Sequence, residues 1–262
     1  MRKIALILLA FCLFACQRDG LTIKNGVLTV GVEANYPPME YLTPYGEFIG
    51  FDIDLARALG KKLDLEVRFV NTKWNSIFTE LSMRRFDVII SSVSILPERE
   101  LSYAFSKPYL ENSLSLIVNK NADIKPTTLK ELVGLRIAYQ AETSTDHLLH
   151  QWARDNDVQL DCNPHFRVDS CLGALQNGQV DVVIIDGIVA YEYLRYLNFD
   201  DRFEMSGVIF NEDLLGVCML QDNPELLELV NSALKELKTE GILEQLSYKY
   251  FNQNLIRDCL TH

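Results

Sequence analysis

Phe86-Asp87-Val88-Ile89-Ile90-Ser91-Ser92 and Val180-Asp181-Val182-Val183-Ile184-Ile185-Asp186 are two versions of one pattern. Each follows an amphipathic helix end, Phe78-Thr79-Glu80-Leu81 in the first and Leu172-Gly173-Ala174-Leu175 in the second. A short polar turn comes next, then Asp, then an apolar strand whose last positions turn polar. The repeat predicts two similar α/β half-proteins. In register, Ser92 falls opposite Asp186. A hydroxyl at one strand end and a carboxylate at the other suit a small zwitterion held between two lobes.

Working outward, Val27 to Val32 reads as a strand, broken by Glu33-Ala34-Asn35-Tyr36-Pro37-Pro38 because proline cannot donate to a ladder. Gly50-Phe51-Asp52-Ile53-Asp54-Leu55-Ala56 opens a helix to about Leu63, with Asp52 as the expected N-cap and Lys61-Lys62 suiting the negative end. The two aspartates of that stretch resemble site residues, but cap and fold duty explains them better. Leu65 to Val70 is the next strand, and a helix over Ser76 to Met83 leads into the strand ending at Ser91-Ser92. The pattern restarts near Leu135 with a strand to Tyr139, a helix from Thr143, a strand over Val158 to Asp161 and a helix capped by Asp169 or Ser170. Such alternation predicts mostly parallel sheets with helices on both faces. A strand over Gly216 to Leu220, a helix begun by Asn223-Pro224-Glu225 and a terminal helix through Leu246 to Tyr250 return to the first lobe. The predicted lobes are 27–112 with 216–262, and 116–211, joined by hinge segments 112–116 and 211–215.

Arg2-Lys3 followed by apolar Ile4 to Ala15 fits a secretory leader over 1–15, too short to span a bilayer as a mature helix. Leu13-Phe14-Ala15-Cys16 resembles a bacterial lipobox, which makes Cys16 the residue to be lipidated and 16–26 a tether. Plain cleavage with an incidental Cys16 is the alternative. No later run reaches about 18 apolar residues, so membrane attachment is expected through the lipid alone. The formal net charge is −11 with no basic patch, which argues against nucleic acid as a partner. Export permits disulfides, and Cys162 with Cys171 is the pair nearest in sequence, bridged or free on the sequence alone. There is no CxxC, and His147 and His150 lack nearby ligand-type partners, so no metal or cofactor is expected.

Ser91-Ser92-Val93-Ser94-Ile95-Leu96-Pro97-Glu98-Arg99 carries the chemistry. Ligands of open α/β sheets sit beyond the carboxyl ends of strands. Hydroxyls and free backbone N–H groups gather there, followed by a guanidinium whose planar fork suits a carboxylate. A turn with capping serines and an ion-paired surface arginine would have the same local sequence.

Four segments together resemble one family: Ala34-Asn35-Tyr36-Pro37-Pro38, Gly50 to Ala56, Ser91 to Ser94 with Pro97-Glu98-Arg99, and Gly241-Ile242-Leu243 with Lys249-Tyr250. The family is the polar amino-acid-binding solute receptors of bacterial ABC importers, and the resemblance spans nearly the whole chain after the leader. It implies a type II periplasmic-binding-protein fold with an amino acid engulfed between the lobes, a monomer, no enzymatic activity, and delivery to a permease in the cytoplasmic membrane. Position by position, Arg99 would clamp the α-carboxylate with help from Ser92, Ser94 and N–H groups near Ser94 or Ser144. Asp186 would take the α-ammonium. Tyr36 and Trp74 would sandwich the side-chain stem, and Thr143 and Ser144, at a helix start, would offer N–H groups to an anion. One departure stands out, because the family's usual glycine before that threonine is here Glu142. If Glu142 turns inward it joins Glu33, and two carboxylates without a counterion would favour a cationic side chain. Arginine or lysine is therefore expected, then histidine or ornithine, with glutamine the main rival. A cyclohexadienyl dehydratase-like enzyme and a receptor's sensory domain are the other readings, although no nucleophile–base pair is apparent.

Overall fold

The computed structural model describes residues 20–195 and 201–256, apart from the side chain of Asn211. The leader over 1–15, Cys16 and Cys259 lie outside the described residues. Two five-stranded sheets carry the fold. In the first, the order is Glu66–Asn71, Val27–Val32, Val88–Ile89, Cys218–Leu220, Tyr103–Phe105. The first three strands run parallel and Cys218–Leu220 runs against both neighbours. In the second, the order is Asp161–His165, Arg136–Gln140, Val182–Asp186, Leu110–Asn119, Phe203–Leu215, again with three parallel strands first. Fully buried strands such as Val182–Ile185 need helices on both sheet faces.

The repeat is visible atom by atom. Asp87 N donates to Thr29 O at 2.9 Å while its carboxylate accepts from Thr29 N at 2.7 Å. Asp181 makes the same exchange with Arg136, at 2.8 Å in both directions. Each aspartate thus ties the start of its strand to the neighbouring strand. The preceding turn repeats too, with Arg84 (φ 56°) and Gly178 (φ 66°) in the left-handed region at matching positions.

Three details differ from the sequence reading, and a fourth, left open there, is decided. The helix Phe51–Leu63 is capped by Gly50, not Asp52. Its first N–H groups find backbone instead, Phe51 N on Pro38 O and Asp52 N on Met39 O, so the Asp52 side chain turns into the core. The edge strand lies at Asp161–His165 rather than 158–161, because an edge tolerates Pro164 at a position that need not donate. The following helix, Val168–Gln176, begins before Asp169 and Ser170, and Asp169 instead holds the Arg167 guanidinium at 2.8 Å. Finally, Cys162 and Cys171 are free thiols. Cys162 packs with Ile137 and Tyr139, Cys171 with Ala138 and Val183. Alternate residues of a strand face opposite sides of its sheet, so the two sulfurs lie on opposite faces.

The chain enters the second sheet along Leu110–Asn119 and leaves along Phe203–Leu215, which pair antiparallel with Asp213 opposite Asn112 and Leu215 opposite Leu110. Ser94 bridges to Leu215 at the same junction. These two strands place the carboxyl ends of both parallel sheets across one cleft.

Candidate functional site

Ser91 and Ser92 follow the strand Val88–Ile89, and Ser92 adopts φ 50°, a left-handed conformation that turns the chain back over the strand ends. Its N–H donates to Asp52 Oδ2 at 2.6 Å, which offsets the strain of that conformation. Ser91 Oγ donates to Glu40 Oε1 at 2.7 Å and accepts from Glu33 N at 3.0 Å. Glu33 itself follows the strand Val27–Val32 and lies at the cleft.

Arg99 stands in the short helix Pro97–Glu100, with its guanidinium 5.6 Å from the Trp74 ring and 5.0 Å from that of Phe78. It donates to Ser94 O at 2.9 Å and, across the cleft, to Glu142 O at 2.8 Å. Trp74 Nε1 donates to the same carbonyl at 3.3 Å. Stacking on aromatic faces and two fixed acceptors orient the fork and leave its charge poorly hydrated.

One cavity in the cleft is lined by Glu33, Tyr36, Trp74, Ser91, Ser92, Ser94, Arg99, Thr143, Ser144 and Asp186, with Glu40 and Gln140. Ten of the residues singled out in the sequence therefore meet in one place. Glu142 does not line it. That residue has φ 62°, its N–H is held by Asp146 at 3.0 Å and its side chain is exposed, so it does not join Glu33, although its charge acts on Arg99 from the rim. It contributes its carbonyl instead. The expectation that Glu33 has no cation nearby also fails, because the charge of Arg167 acts on it.

Four partners were not legible as site residues. Gln140 Nε2 donates to Glu33 Oε2 at 2.8 Å. The pairings of Val88 with Val30 and of Val182 with Ile137 make Glu33 and Gln140 equivalent positions of the repeat, a signal the sequence does carry. Asp213 accepts on one oxygen from Ser94 Oγ at 3.1 Å, Ser144 Oγ at 3.2 Å and Asn112 Nδ2 at 3.4 Å. One hydroxyl of each lobe thus converges on a junction carboxylate. Asp213 and Asn112 meet only through strand pairing, and Glu40 only through the small sheet of Asn35–Tyr36, Glu40–Leu42 and Phe48–Ile49.

The electrostatics are lopsided. Burial, then the charge of Asp213, pushes Asp186 up to about 7, against hydrogen bonds from Tyr36 and Asn112 that lower it. Burial likewise raises Asp213 and Glu33 above the ordinary carboxylate range, and desolvation depresses Arg99. Acids therefore crowd a dry cleft that offers one anion-binding guanidinium. Such a site can grip a molecule carrying one carboxylate and at least one ammonium. On the outer rim, His147 meets Glu98 of the other lobe at 2.6 Å and His150 meets Asp146 at 3.1 Å. Among the described residues no helix is long and apolar enough to cross a membrane.

The family model of the bacterial extracellular solute-binding proteins, family 3, matches residues 28–253. The chain is 29% identical over 234 residues to the L-cystine-binding protein TcyJ of Escherichia coli (strain K12), covering 89% of this chain and 86% of that one. It is 32% identical over 229 residues to the ABC transporter arginine-binding protein 1 of the same organism, covering 86% and 91%. A crystal structure of the ancestral amino acid-binding protein AncCDT-1, described as a precursor of cyclohexadienyl dehydratase, superposes with a TM-score of 0.75 at 29% identity, covering 86% and 95%. The relatives thus bind amino acids, and their ligands differ from one another.

Proposed function

Because the chain belongs to family 3 of the bacterial extracellular solute-binding proteins, we propose that it captures a free amino acid outside the cytoplasmic membrane and presents it to an ABC transporter. The observation that carries this is Arg99 and Asp186 facing one cavity from opposite lobes, a cation and an acid spaced by serine hydroxyls. An α-carboxylate on Arg99 and an α-ammonium on Asp186 would each gain the partner that its burial demands. Lobes 27–112 with 216–262, and 116–211, would swing about 112–116 and 211–215, so that the ligand completes the pairing as the cleft closes. Anchoring through a lipid on Cys16, a monomeric state and the lack of enzymatic activity belong to the same reading.

The favoured ligand is arginine or lysine, because Glu33 presents a largely buried carboxylate at the side-chain end of the cleft. A second reading follows from Arg167, whose charge acts on Glu33. A carboxylate and a guanidinium at the far end would also suit a second zwitterionic head, as in a disulfide-linked diamino acid. A calorimetric panel of arginine, lysine, ornithine, histidine, glutamine and cystine separates these. Binding of at least one, abolished by Arg99→Ala in a folded protein, is the expected result, and unchanged affinity in that variant removes the clamp. Incubation with prephenate, expected to leave it intact, tests the enzymatic alternative.

A further inference from the structure

We propose that Glu40 and Asp52 share one proton beneath the floor of the cleft, and that this pair positions Ser91 and Ser92, the residues that shape the ammonium end of the site. Glu40 comes from the strand Glu40–Leu42 and Asp52 from the first turn of the helix Phe51–Leu63, and they are 1% and 0% exposed. Their outer oxygens are fully engaged with the serines. Asp52 Oδ2 accepts from Ser92 N at 2.6 Å, Ser92 Oγ at 3.4 Å and Tyr109 OH at 3.1 Å, while Glu40 Oε1 accepts from Ser91 Oγ at 2.7 Å. Their inner oxygens, Glu40 Oε2 and Asp52 Oδ1, are buried and meet no donor. Yet the two carboxyl groups are close enough to act directly on one another.

Two ionised carboxylates cannot sit in contact in a dry core, since repulsion and desolvation act together. A single proton between the inner oxygens removes both orphans, with the O–H of one donating to the other. Glu40 carries it. The three donors on Asp52 stabilise charge there, whereas Glu40 has one donor and feels the like charge of Glu33. The surrounding titratable groups reinforce the bias. Tyr109 feels both members of the pair, Tyr36 feels Glu40, Asp186 feels Asp52, and no cation is among the leading influences on either member.

The proton matters to the site because of what the outer oxygens hold. Ser91 Oγ relays from Glu40 to Glu33 N, and Ser92 is kept in its left-handed turn by Asp52. Both serines line the cavity. Glu40 and Asp52 are thus positioning residues, and their effect on affinity rests on the amino-acid-binding reading. The shared proton itself does not.

Glu40→Gln imitates the protonated acid, with an amide N–H for Asp52 and a carbonyl for Ser91, whereas Glu40→Ala removes both. We expect Glu40→Gln to bind the panel's best amino acid within about threefold of wild type at neutral pH, and Glu40→Ala to lose about tenfold or more, the scale of a buried polar group left unpaired. Equal losses in the two variants would mean that a negative charge is required, and would overturn the proposal. Independently of any ligand, and in an Asp186→Asn background so that the carboxyl raised to about 7 cannot contribute, the infrared spectrum should show a protonated-carboxyl stretch at neutral pH that adding Glu40→Gln removes. It should vanish when the Asp186→Asn protein is titrated towards high pH. Absence of that band in the Asp186→Asn protein overturns the proposal even if Glu40→Gln fails to fold. Should no amino acid bind either protein, the ligand reading fails and the infrared band still decides the pair.

Discussion

Replacing Asp186 by Asn removes a strained charge facing the cavity. Burial and the neighbouring Asp213 raise this carboxyl from 3.8 to about 7. A folded-state value above the unfolded one means that stability is full at low pH and is lost as pH rises between those values. Below about pH 4 the group is neutral in both states, so wild type and Asp186→Asn should differ little. By about pH 8 it is ionised in both, and the whole shift, some three units, counts against the wild type. That corresponds to a ceiling of about 4 kcal/mol. Parting of the lobes rehydrates the carboxylate and coupling to Asp213 shares the penalty, so about 1–3 kcal/mol is the expected gain for Asp186→Asn at pH 8. Urea unfolding of the ligand-free proteins across this range measures it. The same variant should bind amino acids far more weakly, while the corresponding deaminated acids lose much less, because only the ammonium needs the charge. A stability difference that stays flat with pH, or equal losses for both ligand types, would refute the reasoning.

Further outcomes follow from the same geometry. Glu33→Gln keeps a partner for Gln140 but removes the charge, so calorimetry should show arginine or lysine weakened about tenfold to a hundredfold and glutamine nearly unchanged. If the two fall alike, Glu33 does not read a cation. Gly50→Ala should be among the most damaging single changes to the fold, because φ is 131° and a Cβ would lie 2.2 Å from Met39 O. Thermal unfolding should register a loss of about 3 kcal/mol or more, and a variant as stable as wild type would contradict the cap geometry. Arg84→Gly places glycine where the second copy of the repeat already has Gly178 in the same left-handed turn. It should be neutral to slightly stabilising, by up to about 1 kcal/mol in the same assay, and a clear loss would show that the Arg84–Asp222 ion pair outweighs the strain.

Much of the site was legible because the repeat carries it. Val88–Ile89 and Val182–Asp186 occupy the same place in their sheets, so residues just beyond them share a cleft. The repeat points to Ser92 and Asp186, and the motifs point to Arg99 and the aromatics. Gln140 carries no motif of its own, although the same register makes it the equivalent of Glu33. The inward turn weighed for Glu142 does not occur, because at φ 62° the residue keeps the backbone conformation of the family's glycine and leaves its side chain exposed.

Local pattern alone determined the class of fold, the two copies and the strand ends that face one another, since periodicity and turn chemistry act over a few residues. Only the tertiary structure decided that Asp52 abandons its helix cap for Ser92, that Asp213 gathers a hydroxyl from each lobe, and that Arg167 reaches the field of Glu33. Those contacts join residues separated by 40, 119 and 69 positions along the chain or more than one hundred. No local rule sets such distances, because they come from how two sheets and their junction pack and from which buried charges must then find a partner.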